Sequence, residues 1–186
     1  DVSFSYAPEK PLIGDFNLSV EPGMRVAIVG PTGAGKTTIV KLLMRFYDVS
    51  GGSIRVDGHD IRDMKRGDLR RLFGMVLQDT WLFKGTIMEN IRYGRLNATD
   101  EEVEKATKAA SAHSFIMNLE HGYDTLLEHD GANLSQCQRQ LLNIARAAIS
   151  RAPILILDEA TAFADPDNET KVQEAFSRLS KGKTVV

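Results

Sequence analysis

A glycine-rich segment between two apolar stretches constrains the fold of this chain more than any other feature of its sequence. Residues 26–29 form an apolar run suited to a strand that is buried on both faces. The segment from Gly30 to Thr37 then matches the pattern G-x-x-x-x-G-K-T. Apolar residues follow at helical spacing, namely Ile39, Leu42, Leu43 and Phe46. This order of strand, glycine loop and helix is the context in which the pattern binds nucleotide phosphates.

Each residue type in the glycine loop has a physical role. Glycines let backbone N–H groups curl around phosphate oxygens without a collision from Cβ, and the following helix N-terminus adds partial positive charge. Lys36 is predicted to reach the β- and γ-phosphates and to assist catalysis, while the Thr37 hydroxyl is predicted to ligate Mg²⁺. The alternative is a glycine-rich turn with an exposed lysine. The predicted nucleotide-binding residues of this segment are Gly30, Pro31, Thr32, Gly33, Ala34, Gly35, Lys36, Thr37 and Thr38.

Two adjacent carboxylates, Asp158 and Glu159, follow a second apolar run at residues 154–157. Open parallel sheets bind their ligands at the carboxyl ends of the strands, which is where these side chains are expected. Asp158 is predicted to hold Mg²⁺ through water, and Glu159 to orient and deprotonate the attacking water. The alternative is a pair of solvated acids that end a strand. With the phosphate loop granted, ATP hydrolysis is favoured over binding alone.

A third signal is the S-x-x-Q pattern of Ser135 and Gln138 at the start of a run with helical periodicity. The pattern is that of a capping box, which predicts that a helix begins at Ser135. A helix N-terminus attracts anions. Ser135 is therefore interpreted either as a helix cap alone or as a cap that also donates to a phosphate.

Composition limits the classes of function that remain. The chain has 186 residues, a formal charge of −2 and one cysteine, which fits a single globular domain in a reducing compartment. No overall basic field supports binding to nucleic acid, and no apolar run is long enough to span a membrane. The chain begins with alternating strand residues and ends in a β-branched run, so we expect the natural protein to extend beyond both ends.

Short strands and helices are predicted on either side of the glycine loop. Val2, Phe4 and Tyr6 fall on one face of a strand, and Ile54 and Val56 alternate between turns, which predicts a small antiparallel sheet. Residues 100–150 have mostly helical spacing, and the strand pattern returns at residue 154 and again at 184. The prediction is an α/β fold.

With the phosphate loop, "LSQCQRQ" and "ILILDEAT" in this order, the chain resembles the nucleotide-binding domain of ABC transporters over essentially its whole length. The exporter-type domains are the most similar, on "VSFSY", "GPTGAGKTT", "GTIMENI", "GANLS" and "LILDEAT". The resemblance implies a P-loop NTPase (RecA-like) core with an antiparallel β-subdomain, at about 1–86 and 151–186, and a helical subdomain at about 87–150.

The resemblance also implies roles for single residues. Tyr6 would stack on adenine, Gln78 would sense Mg²⁺ and the attacking water as a catalytic residue and metal ligand, and Asp165 would link opposed sites. Each has a simpler interpretation, as a strand aromatic, a surface loop residue and a turn residue. The order of the motifs favours the functional roles.

The partners implied by the resemblance are a second nucleotide-binding domain and a transmembrane domain. Two domains pair head to tail, so each ATP is held between one phosphate loop and the partner's signature residues, here Ser135, Gln136, Cys137 and Gln138 acting in trans. The region from Gln78 to Thr86 would receive the transmembrane domain, at the cytoplasmic face of the membrane. ATP and Mg²⁺ are the implied cofactors, and nucleic acid is not an expected partner.

Departures from the family pattern leave alternatives open. Cys137 stands where the family has glycine, so its side chain is expected to occupy space meant for phosphate and its thiol to be open to reagents. Phe163 is bulkier than usual, and the family's switch histidine has no counterpart, which is expected to limit hydrolysis by the isolated chain. One alternative is therefore a weakened half of a heterodimeric exporter. Another is a DNA-maintenance or translation ATPase, although only 56 positions separate Gln78 from Leu134.

Overall fold

The fold is that of a computed structural model, and it is mixed α/β. The model describes residues 1–77, 80–157 and 166–186, without the side chains of His129 and of residues 166–168. The strands of these ranges are β1 (Val2–Phe4), β2 (Ile13–Phe16), β3 (Arg55–Val56), β4 (His59–Asp60), β5 (Phe73–Val76), β6 (Gly85–Thr86), β7 (Leu126–Leu127), β8 (Ile154–Leu157) and β9 (Thr184–Val185). The α-helices are α1 (Lys36–Leu43), α2 (Arg66–Arg71), α3 (Ile87–Arg92), α4 (Asp100–Ala109), α5 (His113–Met117), α6 (Gln136–Ser150) and α7 (Pro166–Ser180). Short 3₁₀ turns lie at Ile61–Asp63, Gly122–Asp124 and His129–Gly131.

Three strands of the described ranges form a parallel sheet with the order β5-β8-β9. β5 and β8 are in register from the pair Phe73 and Ile154 to the pair Val76 and Leu157. The strand predicted at 154–157 and the strand start predicted at 184 are confirmed. Because β5 and β8 run parallel and end at paired residues, the chain leaves both strands at the same edge of the sheet.

The strand predicted at residues 26–29 is not formed, and Val29 is 87% exposed. The chain approaches β9 through one isolated parallel bridge, with hydrogen bonds from Val185 N to Met24 O at 2.9 Å and from Val26 N to Val185 O at 2.8 Å. Among the described residues, β9 hydrogen-bonds this run only at Val26. An apolar run predicts burial only where a neighbouring strand is present to pair with it.

The helix predicted after the glycine loop is confirmed as α1, but Phe46 does not continue its apolar face. Arg45 has φ 53°, and Phe46 N donates to Lys41 O at 2.9 Å, which ends the helix in a left-handed turn. Phe46 is consequently 54% exposed and lies under the guanidinium of Arg70, 4.6 Å from its ring centroid. Leu42, by contrast, is buried as predicted.

The antiparallel pairs β1-β2 and β3-β4 confirm the predicted small-sheet regions near the front of the chain. Ile54 lies just before β3, where its carbonyl accepts a hydrogen bond from Ile61 N at 3.0 Å. Phe4, Ile13 and Leu42 form a buried cluster that joins β1 and β2 to α1. β1 ends at Phe4, so Tyr6 lies in the turn that follows and not in the strand.

Helices α3, α4 and α6 pack around the largest core cluster, as the helical spacing of residues 100–150 predicts. α3 approaches α6 closely at Gly94, where a Cβ would lie 2.2 Å from Arg146 O and 2.8 Å from a methyl of Ile149. The sequence did not predict β6 and β7, which pair Gly85 with Leu127. Of the helices in the described ranges, none is long and apolar enough to cross a bilayer.

Candidate functional site

The glycine loop turns sharply just before α1. Gly33 has φ 85° and Gly35 has φ 94°, both in the left-handed region that side chains rarely adopt. Ala34 N donates to Pro31 O at 3.1 Å, which closes the turn. A Cβ on Gly33 would meet no atom of the described residues within 4 Å, so none of them fills the space in front of this residue.

The N-terminus of α1 suits an anion. Gly35 caps the helix without a side-chain hydrogen bond, and the first turn carries no acidic residue. The backbone N–H groups of this end therefore keep their capacity to bind an anion, and the helix dipole adds to the attraction.

Lys36 lies at the start of α1 and folds back over the loop. Its Nζ donates to Gly30 O at 2.7 Å and to Pro31 O at 3.2 Å. The ammonium is thus held at the loop, where it could exchange these carbonyls for phosphate oxygens. Thr37 is exposed and Thr38 is buried, so Thr37 is the threonine whose hydroxyl is open to a metal ion.

Tyr6 lies next to the phosphate loop, as the predicted adenine-stacking role requires. Its hydroxyl is 3.1 Å from the Thr38 hydroxyl, and the ring is 52% exposed. Phe4 and Tyr47 contact the same ring in T-shaped geometry, at centroid distances of 4.9 and 5.2 Å. These contacts fix the ring and leave part of its surface open to a base.

The predicted capping box at the start of α6 is confirmed. Gln138 N donates to Ser135 Oγ at 3.2 Å, and Ser135 N donates to Gln138 Oε1 at 2.9 Å. These two residues hydrogen-bond to each other and not to the phosphate loop of the same chain. Gln136 is exposed at the first position of the helix. This helix end is therefore available to a second molecule.

The expectation that Cys137 points into phosphate space is wrong for this structure. Cys137 is 8% exposed and belongs to the same core cluster as Leu134 and Leu141, which lie on the same face of the chain at helical spacing. The Cys137 side chain faces the interior, so only the backbone of this residue is left to contribute to the N-terminal end of α6. Burial also removes the reason to expect fast reaction of the thiol with reagents in the folded chain.

Five residues singled out by the sequence lie outside the described ranges, namely Gln78, Asp158, Glu159, Phe163 and Asp165. Their roles remain predictions. Of their neighbours, Leu77 and Leu157 lie directly after and at the end of the paired strands β5 and β8.

Sequence reasoning missed a set of buried polar residues on α6. Gln140 and Asn143 are 3% and 7% exposed, and Thr80 Oγ1 donates to Gln140 Oε1 at 2.8 Å. Further along, Arg146 donates to Trp81 O at 2.9 Å. Burial lowers the pKa of this guanidinium. The available signal was a series of polar residues at every third position within an otherwise apolar-periodic helix.

Exposed aromatic residues lie in and next to the segment from Gln78 to Thr86 that is predicted to receive a transmembrane domain. Trp81 and Tyr93 are 56% and 57% exposed, and both rings contact Phe83, at 6.0 and 5.8 Å between centroids. We call Trp81, Phe83 and Tyr93 the aromatic surface. Arg146 lies behind it, with its guanidinium 5.6 Å from the centroid of the Tyr93 ring.

Comparisons with known proteins agree with this geometry. The family model "ABC transporter" matches residues 13–162. An uncharacterized ABC transporter ATP-binding protein of Bacillus subtilis is 52% identical over the whole chain, which covers 31% of that protein. A fatty acid ABC transporter ATP-binding/permease protein of Mycobacterium bovis is 50% identical over 98% of the chain and 29% of that protein. A solved bacterial Atm1-family ABC exporter with ATP bound has a TM-score of 0.91 and 41% identity, over 99% of this chain and 32% of its own. The chain thus spans about a third of the length of these relatives.

Proposed function

Because this chain belongs to the ABC transporter family, as an ATP-binding domain of the exporter type with a P-loop NTPase fold, we propose that it hydrolyses ATP to power export across a membrane. The observation that carries the proposal is the glycine loop at the uncapped N-terminus of α1, with Lys36 held over it. Tyr6 lies beside this loop through Thr38, so a base and its phosphates each have a surface to bind.

The phosphate end of the site follows from charge and open space. Backbone N–H groups around Gly33 and the N-terminus of α1 attract the phosphates, and Lys36 supplies a full positive charge for the charge that develops on the transferred group. The exposed Thr37 hydroxyl suits Mg²⁺, which takes oxygen ligands. When bound, Mg²⁺ would neutralise phosphate charge, with Gln78 and, through water, Asp158 as its further partners.

The carboxylate of Glu159 is the proposed base for the attacking water. It follows Asp158 immediately after β8, and Gln78 follows β5 by two positions. Because β5 and β8 end side by side at Val76 and Leu157, we expect the residues that follow them to lie near one edge of the sheet. A base at this edge would act on water held between the sheet and the phosphate loop.

The start of α6 is the proposed second half of the site, contributed to a second molecule in a head-to-tail dimer. Ser135 and Gln136 would donate to the γ-phosphate held by the other molecule's loop, together with the backbone N–H groups of the first turn. Gln138 secures Ser135 through the capping box. Cys137 contributes its backbone only, since its side chain is buried.

The aromatic surface is the proposed contact with a transmembrane domain. Exposed aromatic side chains grouped together are characteristic of interaction sites. The relatives are named ATP-binding/permease proteins, and this chain matches about a third of each. We propose accordingly that the domain works at the cytoplasmic face of a membrane, that its partners are a second such domain and a transmembrane domain, and that nucleic acid is not among them.

ATP binding tests the proposal. We expect Lys36→Ala to weaken binding of a fluorescent ATP analogue at least tenfold, on the order expected when a charged hydrogen bond to phosphate is lost. Lys41→Ala is the matched control, because it removes the same charge from the last turn of the same helix. Equal affinity of the two variants would refute the phosphate-binding role of the loop.

Glu159→Gln separates binding from hydrolysis. We expect this variant to bind the analogue as the parent chain does, because a carboxamide cannot take a proton from water but does not disturb the loop. In a single-turnover incubation with excess protein, nucleotide recovered from the variant should remain ATP while the parent yields ADP. Formation of ADP at the parent rate would remove Glu159 as the base.

A further inference from the structure

We infer that Gln140 and Arg146 are positioning residues that fasten the segment after β5 to α6, so that this segment and the N-terminal end of α6 at Ser135 to Gln138, which we call the signature end, move as one body. The inference rests on the proposed function, because it concerns the helix that begins with the residues offered to a second molecule. Two groups of hydrogen bonds carry it, which we call the first anchor and the second anchor.

The first anchor joins Leu77 and Thr80 to α6. Thr80 Oγ1 donates to Gln140 Oε1 at 2.8 Å, and two longer contacts run from Gln140 Nε2 and Asn143 Nδ2 to Leu77 O, at 3.5 and 3.4 Å. Asn143 Nδ2 also lies 3.4 Å from Thr80 Oγ1. Leu77 and Thr80 are the described residues on either side of positions 78–79. The anchor therefore holds both sides of this stretch to one helix.

The second anchor joins Trp81 and α3 to α6. Arg146 donates from Nη1 to Trp81 O at 2.9 Å, from Nε to Asn90 O at 2.9 Å and from Nη2 to Asn90 Oδ1 at 3.1 Å. Asn90 is fully buried and in turn bonds the backbone of Phe83 in both directions, at 3.0 and 3.1 Å. In the described part of the chain, no carboxylate forms a salt bridge with Arg146.

The chemistry of Arg146 indicates why the second anchor is rigid. A buried guanidinium without a carboxylate partner is stable only while neutral oxygens satisfy its N–H groups. Here one of these oxygens comes from Trp81 and two come from Asn90, so moving the segment away from α6 would take one of three acceptors from a largely buried charge. This loss opposes separation, and the segment and the helix should shift together.

The consequence concerns two surfaces that are distant in sequence. The aromatic surface includes Trp81, and the signature end of α6 begins at Ser135. Gln140 lies one turn after Cys137 on the buried face of α6, so the first anchor sits directly beside the signature end. A displacement of the aromatic surface by a bound partner would therefore tilt the helix end that a second molecule uses.

The chain contains one natural probe at each end of this connection. Trp81 is its only tryptophan and Cys137 its only cysteine. Acrylamide quenching of tryptophan fluorescence reports the freedom of the segment, and the rate of reaction of the thiol with a maleimide reports opening of the first turn of α6. Both measurements use residues that the chain already contains, and the first comparison is made without nucleotide.

Thr80→Val is the decisive variant, and Thr125→Val is its matched control. Both threonines are half-buried, but the buried Thr125 hydroxyl has no hydrogen-bond partner among the described residues. We expect Thr80→Val to raise the thiol reaction rate about tenfold, because Gln140 Oε1 loses the donor of its short bond. Trp81 quenching should rise in the same variant. Thr125→Val should stay within about twofold of the parent in both measurements.

Three further outcomes separate positioning from general stability. Thr80→Ser keeps the hydroxyl and should restore both parent values, and Arg146→Lys should raise Trp81 quenching, because one ammonium cannot replace a planar fork that reaches three oxygens. Saturating ATP should change the thiol rate of the parent and of Thr125→Val but not that of Thr80→Val, with equal ATP affinity in all three. A purely structural contact would lower the unfolding midpoint and leave this ATP response intact.

The inference is overturned if Thr80→Val reacts at the rate of Thr125→Val, or if the ATP response of the thiol survives in Thr80→Val. Should the parent chain bind no ATP, the proposed function fails instead. The comparison of the two valine variants without nucleotide still decides the inference in that case.

Discussion

Replacing Asn90 by alanine should be among the most destabilising single changes in the described part of the chain. The side chain is fully buried and makes four hydrogen bonds. It accepts from Phe83 N and Arg146 Nη2, both at 3.1 Å, and donates to Phe83 O at 3.0 Å and Thr86 O at 3.1 Å. Each partner is partly buried and would lose this hydrogen bond, and Arg146 carries a charge. At about 1 kcal/mol for each bond, and more for the charged one, the expected loss is about 3–5 kcal/mol.

Two matched variants test whether the loss of stability comes from these hydrogen bonds. Asn97→Ala makes the same chemical change at an exposed site a few residues along the chain, and should cost less than about 0.5 kcal/mol. Asn90→Asp keeps both acceptor bonds and brings a carboxylate to Arg146, but it sets an acceptor oxygen against the carbonyl oxygens of Phe83 and Thr86. It should therefore also be destabilising, by more than about 1 kcal/mol.

Equilibrium unfolding in urea gives the free energy of unfolding of all three variants, compared with one common slope of free energy against urea concentration. A loss of 3–5 kcal/mol is a large part of the roughly 5–15 kcal/mol that stabilises a typical domain. A cost below about 1 kcal/mol for Asn90→Ala would show that loop 83–86 can satisfy its backbone without this side chain. It would also remove the second anchor as a rigid connection.

Two further predictions concern two helix caps and an ion pair. Ser135→Ala breaks the capping box of α6 and Thr99→Ala that of α4, and each should lower the free energy of unfolding in urea by about 1 kcal/mol. Only Ser135→Ala should also weaken ATP-dependent self-association, measured by sedimentation. Equal self-association of the two variants would count against the role of Ser135 in trans. The Arg62 side chain lowers the pKa of Asp60 from 3.8 to about 2, so this carboxylate stabilises the folded chain above pH 3.8 and that contribution is lost as the pH falls towards 2. The gap in unfolding midpoint between the parent and Asp60→Asn should close over this range, and a gap that does not change with pH would refute the assignment.

The sequence predicted those features that depend on local chemistry. The capping box at Ser135 needs only two side chains and the adjoining backbone, and it formed as predicted. The glycine loop and the start of α1 depend on residues close together in the chain, and they too are present. The strand at 154–157 was predictable because both of its neighbours in the sheet are within the chain.

The failures concern features that depend on distant partners. The apolar run at 26–29 has strand composition, but β9 offers it hydrogen bonds only as far as Val26. Cys137 was judged by its position in a motif, whereas the direction of its side chain is set by the packing of α6 against the core. Helical spacing placed Phe46 on the apolar face, but the left-handed turn at Arg45 intervened. The anchors were invisible because their loop and helix partners are about sixty positions apart.

The two anchors also constrain how this stretch of chain can change over generations. Gln140, Asn143 and Arg146 occur at every third position of α6. Gln140 and Asn143 both contact Leu77 and Thr80 on the opposing segment, and Arg146, the last of the three, contacts Trp81, which follows them. The segment thus runs alongside a row of side chains that winds obliquely around the helix. Substitutions would affect one contact at a time, whereas an inserted or deleted residue in either element would shift every later contact out of alignment. Sequences descended from a common ancestor should therefore vary in residue type along both elements while keeping the length of each unchanged.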